Sequence, residues 1–419
     1  MAHGRLIRTG SFRPELVAAQ RHLLLSPFTH AMFSQRTNWR LSPNALTRAI
    51  EEARASGQKI LDLTVSNPTE TGVRPDAANV LAALANPEAM HYDPQPRGLL
   101  EARKAVCRYY RESHEVFDLD PERLILTTST SEAYSYVFRL LCNPGDEILV
   151  PKPSYPLFEF LADLADVKLV PYPLIYDHGW QIDFASLYKA ATARSRAVIL
   201  VHPNNPTGSY VSAAEASALN ASCLDYNLAL IVDEVFLDYS HGGTPRSSFV
   251  TNADSLTFTL SGVSKISALP QMKLAWVYTS GPGETVAQAG ARLEIIADTF
   301  LSMNAPVQHA APVLLDQRKQ IQPILLDRLR ENLGELDRQL VRHSSCARLQ
   351  VEGGWYVVLR VPAIESDEDL AIRLLREASV SVHPGHFYDF PDEGYLVLSL
   401  ITEPAIFREG MARLLQVVE

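Results

Sequence analysis

The stretch "RAVILVHPNNPTG", residues 196–208, carries an apolar run straight into a stiff polar turn. It leads into "SAAEASALNASCLDY", residues 212–226, a helical segment, and then into "LALIVDEVF", residues 228–236, a second apolar run that ends on carboxylates. An uninterrupted apolar strand is one buried on both faces, and two such strands joined across a helix lie parallel. The stretch therefore predicts a unit of parallel sheet covered by helices.

The same rhythm extends on both sides. "RLILTTST" (123–130) leads into "SEAYSYVFRLL", and "DEILVPKPSY" (146–155) into "PLFEFLADLA"; "SLTFTLSG" (255–262) and "KLAWVYTS" (273–280) follow as further strands. Strands alternating with helices predict an α/β domain with a mainly parallel sheet, here over residues 76–310. The segment 311–419 is different: helical "IQPILLDRLRENLGELDRQLVRH" precedes "ARLQVEGGWYVVLRVP", a second helix, "SVSVHPG" and "YLVLSLI". That pattern predicts a smaller α+β domain. Residues 32–75 form an arm and part of that small domain, with "SPNALTRAIEEARASGQ" read as a helix capped at Ser42 and "KILDLTVSNPTETG" as a short strand and turn. Residues 1–31 carry Arg5, Arg8, Arg13 and Arg21 against the one acid Glu15. They read as an extension outside the fold, either a targeting segment or the product of a start codon set too early, with "MFSQRTNWRLSPN" from Met32 as the natural beginning.

Bulk properties narrow the class. The 419 residues are 47% hydrophobic and 21% charged with a net charge of −10, a globular composition with no basic excess for nucleic acid. No apolar run reaches the ~20 residues of a membrane span. The 4 cysteines, Cys107, Cys142, Cys223 and Cys346, are far apart, and the 12 histidines show no HExxH spacing. This predicts neither a disulfide scaffold nor a metal site, and a cytoplasmic setting. Phosphate-loop, GxSxG and GxGxxG patterns are also absent.

Ligands of an open α/β sheet bind beyond the C-terminal ends of its strands. After "LILT" stand Thr128, Ser129, Thr130 and Ser131 at a helix start, either an anion site or a plain helix cap. After "ILVPKP" comes Tyr155, an aromatic platform or turn packing. After "VILV" comes the Asn205 turn, and "LALIV" delivers Asp233, a carboxylate that is costly there unless paired. After "TFTL" come Ser261 and Lys265; desolvation would lower the lysine's pKa and make it a nucleophile, whereas a solvated loop lysine would be inert. Each feature alone has an ordinary explanation. Together, in this order, they supply what pyridoxal 5'-phosphate requires: an anion cradle, a stacking face, an amide for the phenolic oxygen, a carboxylate for the ring nitrogen and an amine for the aldehyde.

With those residues in view, the chain resembles the class I/II aminotransferases of pyridoxal-phosphate fold type I. "NNPTG", "DEVF", "SGVSK", "EGGWY" and "HPG" match in order, from about Ser42 to the C-terminus. The resemblance implies a seven-stranded-type sheet, a homodimer with shared active sites, and amino-group transfer between an amino acid and a 2-oxo acid by a ping-pong Schiff-base route. It makes Lys265 the Schiff-base lysine and proton carrier and Asp233 the partner of the ring nitrogen. Asn205 bonds the phenolic oxygen, Tyr155 stacks on the ring, and Ser129, Thr130, Ser131 and Ser261 bind phosphate. It also implies that Tyr92 reaches the phosphate of the neighbouring subunit, and that the "SNPT" segment with Asn67, together with Asn205, lines the substrate side.

Three positions depart from the family pattern. Phe236 stands where a tyrosine usually donates to the phenolic oxygen, with Tyr239 the nearby phenol. Lys273 replaces the arginine that clamps phosphate, a point charge for a bidentate fork. Val397 stands where an arginine usually binds the substrate carboxylate, with Arg97, Arg360, His383 and His386 as nearby replacements. The last departure leaves room for elimination, decarboxylation or racemisation on the same cofactor. A non-catalytic binding module is the remaining alternative, against which the short N-terminal extension argues.

Overall fold

The computed structural model describes residues 32–39, 41–242 and 246–419. The extension expected over residues 1–31 lies outside the described residues. Fourteen strands are present among the described residues: β1 (Leu61–Asp62), β2 (Leu124–Thr127), β3 (Glu147–Lys152), β4 (Lys168–Tyr176), β5 (Trp180–Ile182), β6 (Ser195–Val201), β7 (Ala229–Asp233), β8 (Thr257–Gly262), β9 (Ala275–Ser280), β10 (Ala347–Arg348), β11 (Tyr356–Arg360), β12 (Val380–Ser381), β13 (His383–Pro384) and β14 (Tyr395–Ser399).

The large sheet has the order β2-β9-β8-β7-β6-β3-β4-β5. β8, β7, β6, β3 and β4 pair in parallel, as the apolar runs predict. Two strands run against them. β9 lies antiparallel between β2 and β8, and the β4–β5 hairpin adds an eighth strand at the far edge. β9 departs from simple strand–helix alternation because only short helical turns separate it from β8. The link over residues 263–274 holds no helix long enough to cross the sheet, and β9 returns antiparallel beside β8.

Strand alternation divides the core. Ile199, Val201, Ile231, Phe258 and Leu260 face the helices Thr130–Leu141 and Gly283–Phe300 through Ala133, Val137, Phe138 and Leu293. Val198, Leu200, Leu230 and Val232 face the opposite way, onto Leu219 and Cys223 of the helix Ala213–Tyr226. That helix begins with a capping box between Ser212 and Glu215. Both faces are thus closed and the polar residues collect at the strand ends.

The smaller sheet, β10-β11-β14-β13, is antiparallel and packs on the helices Arg318–Leu340, Asp367–Ala378 and Pro404–Val418. The N-terminal segment joins this unit. β1 pairs in parallel with β12, and Ser399 donates its backbone N–H to Leu63 O at 2.7 Å. Its first helix, Ala45–Ala55, is capped by Asn44, whose side chain accepts from Thr47 N, and not by Ser42 as the sequence suggests. Asn44 lies directly before the first helical residue, where a cap must sit.

The NNPTG turn is locked to the small unit. Gly208 has φ +69, and a Cβ on it would lie 2.4 Å from Val351 Cγ2 and 2.5 Å from Gly353 O. Only glycine allows both that backbone angle and that approach.

Candidate active site

A cavity of about 260 Å³ opens at the C-terminal ends of the large sheet. Its walls come from the Ser66–Pro68 turn, the helix start at Thr128–Thr130, Tyr155, Ser264–Lys265 and the Lys273–Ala275 segment.

Lys265 is the centre of this site. Its Nζ lies 3.4 Å from Ser66 O, 4.8 Å from the centroid of Trp355 and 5.7 Å from that of Phe236. Burial disfavours the ammonium form and pushes the pKa down to about 8, with the Asp233 charge opposing. Tyr239 fixes the backbone beneath it, donating its hydroxyl to Lys265 O at 2.7 Å. The Tyr239 hydroxyl, the phenol near Phe236, is thus engaged with the main chain.

Asp233 ends β7 and is buried. Its Oδ1 accepts the Val235 N–H at 3.1 Å and its Oδ2 accepts the Tyr134 hydroxyl at 3.2 Å. Burial raises its pKa to about 6, and those two hydrogen bonds and Lys265 pull it back. Glu234 points elsewhere, accepting from Ser248 Oγ at 2.6 Å and Phe249 N at 2.7 Å.

Asn205, in the turn after β6, is buried and its Oδ1 has no hydrogen-bond partner. A buried amide oxygen without a partner costs about 1–3 kcal/mol, so such a group usually marks a place that a ligand completes.

The anion side is the helix Thr130–Leu141. Ser129 caps it, with its Oγ accepting from Glu132 N at 3.2 Å, and Thr128 donates both its N–H and its hydroxyl to Glu132 Oε2. Ser129 and Thr130 line the cavity. Ser131 follows in the first turn. Ser261 is not among the lining residues; it is buried, with its Oγ 3.4 Å from Glu234 O. Ser264 lines the cavity in its place. Lys273 is exposed at the rim in a left-handed conformation, φ 53.

Other sequence-predicted residues fall as follows. Tyr155 lines the cavity, and burial raises its hydroxyl well above the usual tyrosine range. Asn67 lines it too, its side chain accepting from Thr69 N at 3.1 Å. Tyr92 is 74% exposed and lines a different cavity, shared with Met303 and His309. Val397 is fully buried in the small unit, paired with Val358 and His383. None of its four suggested replacements lines the cavity. Arg97 pairs with Glu294 at 2.8 Å and Arg360 is exposed at the end of β11. His383 bonds Tyr388, and burial pushes its pKa down to about 3, so it is neutral. The His386 pKa is also lowered by burial.

Tyr134, Ser66, Ser264 and the ring of Trp355 belong to the site by position, and sequence reasoning did not single them out. Ser66, Ser264 and Trp355 lay within the recognised motifs "SNPT", "SGVSK" and "EGGWY" without being named for a role. Tyr134 sits in an amphipathic helix, where an aromatic reads as core.

The fold and this site define an enzyme class. The family model for aminotransferase class I and II matches residues 58–406. The chain belongs to the aminotransferase class I and II family, and its reaction is amino-group transfer between an amino acid and a 2-oxo acid. Among its relatives, the alanine aminotransferase of Mycobacterium tuberculosis is 28% identical over 358 residues, covering 84% of this chain and 83% of that protein. The glutamate-pyruvate aminotransferase of Haemophilus influenzae is 27% identical over 351 residues, covering 81% and 86%. In fold, the alanine aminotransferase of Pyrococcus furiosus superposes with a TM-score of 0.80 at 24% identity over 88% of this chain and 95% of that one. A Thermus thermophilus aspartate aminotransferase double mutant gives 0.79 at 22% over 92% and 99%.

The family implies pyridoxal 5'-phosphate, and the residues present fit it. A buried amine of lowered pKa, a carboxylate held from two sides, an amide oxygen lacking a partner and a capped helix start all border or underlie one cavity.

Proposed function

We propose that Lys265 is the catalytic lysine of a pyridoxal-phosphate aminotransferase, acting with Asp233. The observation that carries this reading is the buried Lys265 amine, whose pKa of about 8 leaves a nucleophilic neutral fraction near neutral pH. When bound, the cofactor supplies an electron sink; the protein supplies position and proton movement. Asp233 would hold the ring nitrogen protonated, Asn205 the phenolic oxygen, and Tyr155 the ring face. Thr130, Ser129, Ser131 and Ser264 would take the phosphate, with Lys273 as a point charge at the rim and Ser261 supporting from behind. Lys265 Nζ would carry the proton between the substrate carbon and the cofactor.

The relatives' names suggest alanine or glutamate as donor and pyruvate or 2-oxoglutarate as acceptor. Val397 makes carboxylate binding weaker than a guanidinium would, leaving it to Asn205 and the backbone near Asn67. The exposed Tyr92 fits a homodimer in which it reaches the partner's phosphate site. Four free cysteines suit a reducing cytoplasm.

A donor–acceptor screen tests the reading. Wild type should consume donor and acceptor one for one, and Lys265→Ala should lose both turnover and the yellow colour. Pyruvate or ammonia released without acceptor consumption, or a colourless wild type, overturns it.

A further inference from the structure

The helix Thr130–Leu141 contributes to the site at two places. Its start lines the cavity, and Tyr134, one turn further on, donates to Asp233 Oδ2 at 3.2 Å. Tyr134 is buried, and its ring is wedged edge-on between Phe138 and Phe158, with centroids 5.9 Å and 5.3 Å away. The other carboxylate oxygen, Oδ1, accepts the Val235 N–H at 3.1 Å. The groups facing Asp233 are Tyr134, the Val235 N–H and, at longer range, Lys265 and Tyr155. Glu234 is turned away onto Ser248 and Phe249.

We propose that Tyr134 is a positioning residue for the cofactor, its phenol keeping the Asp233 carboxylate ionised and correctly aimed at the ring nitrogen. This rests on the reading of Asp233 above. Burial alone would favour a protonated acid at that position. A protonated Asp233 would share its proton poorly with a ring nitrogen that must carry one. A donor that cannot ionise removes the conflict. Burial and the neighbouring Asp233 charge hold the Tyr134 hydroxyl far above the usual tyrosine range, so it donates at every working pH. One helix thereby couples the phosphate end of the cofactor to the ring end.

The test uses the full chain, stripped of cofactor and reloaded with pyridoxal phosphate labelled with nitrogen-15 in the ring. Tyr134→Phe keeps the wedge between Phe138 and Phe158 and removes the donor. The ring nitrogen should then shift towards the neutral pyridine position, and cofactor should be released about tenfold faster. An unchanged shift and release rate, with Asp233→Asn moving both, overturns the proposal for Tyr134 and leaves the reading of Asp233 standing. An Asp233→Asn protein with wild-type values overturns both. Should Tyr134→Phe not fold, 3-fluorotyrosine placed at position 134 is a stronger donor. It should move the resonance towards the protonated form, and no movement overturns the proposal.

Discussion

The two walls of the active site were built differently. On the large-sheet side, Asp233, Asn205 and Lys265 stand at the ends of β7, β6 and β8, held by a frame closed on both faces. On the small-unit side, Val397 of β14 is sealed in the core between Val358 and His383, away from the cavity lining. Polar groups on the first wall are buried at a cost, offset at Asp233 by Tyr134 and Val235 and left open at Asn205 Oδ1. The second wall carries no such cost. The difference teaches that the polar groups at the strand ends are tightly held, while the β14 position contributes no charge to the site.

The largest effect should come from the first wall. Lys265→Ala should lower kcat by about 10⁴-fold or more, because it removes nucleophile and proton carrier together. Steady-state assays with alanine and 2-oxoglutarate check this, and a residual rate within tenfold of wild type would break the assignment.

Val397→Arg probes the second wall. An unpaired guanidinium in that core should destabilise the apoprotein by about 3–5 kcal/mol, read from urea unfolding. If stability is kept and KM for the 2-oxo acid falls, the wall is not closed to charge and the contrast fails.

Gly208→Ala strikes the seam between the walls. Its strained angle and the Val351 contact predict a loss of about 1–3 kcal/mol, visible as a lower Tm.

The smallest effect is a pH dependence. Capture of cofactor by the apoprotein needs the neutral Lys265 amine, so its rate should rise towards about pH 8 and level off above it. Because the folded pKa lies below the ordinary 10.5, the unfolded chain binds the extra proton between those values. Apoprotein stability should therefore increase with pH over that window. Rapid mixing and pH-dependent unfolding measure the two. A capture rate that keeps climbing about tenfold per pH unit through pH 9, with no levelling near pH 8, would show that Lys265 is not desolvated.

Much of the first wall was legible in the sequence because apolar strands announce themselves and their ends carry short, distinctive groups. Asp233 and Lys265 follow directly from "LALIVD" and the "SGVSK" turn. The reversal of β9 was not legible, since strand direction depends on the link to β8 and not on strand composition. Tyr134 was hidden for a related reason. On a helix against a sheet an aromatic ring is core by default, and only its hydroxyl's distance to Asp233 gives it another meaning. Ser261 is buried at the end of its strand with its Oγ turned to Glu234 O, an orientation that sequence alone does not fix because side chains alternate sides along a strand. Its neighbour Ser264, past the strand, is the one that borders the cavity.

The strap formed by β1 and the residues after it has a consequence for biosynthesis. Ser399 donates its hydroxyl to Val65 O, a contact between groups 334 positions apart, and β1 needs β12 as its partner. At ~5–20 residues per second, roughly 15–70 s of translation separates the two ends of that contact. During that time the emerging chain holds Ser66 with nothing to anchor it, and Lys265, once made, has no lid. The ribosome thus completes Lys265 well before β12 and β14, which fix the Ser66 segment beside it, so a prematurely terminated chain would carry the lysine without the enclosure that lowers its pKa.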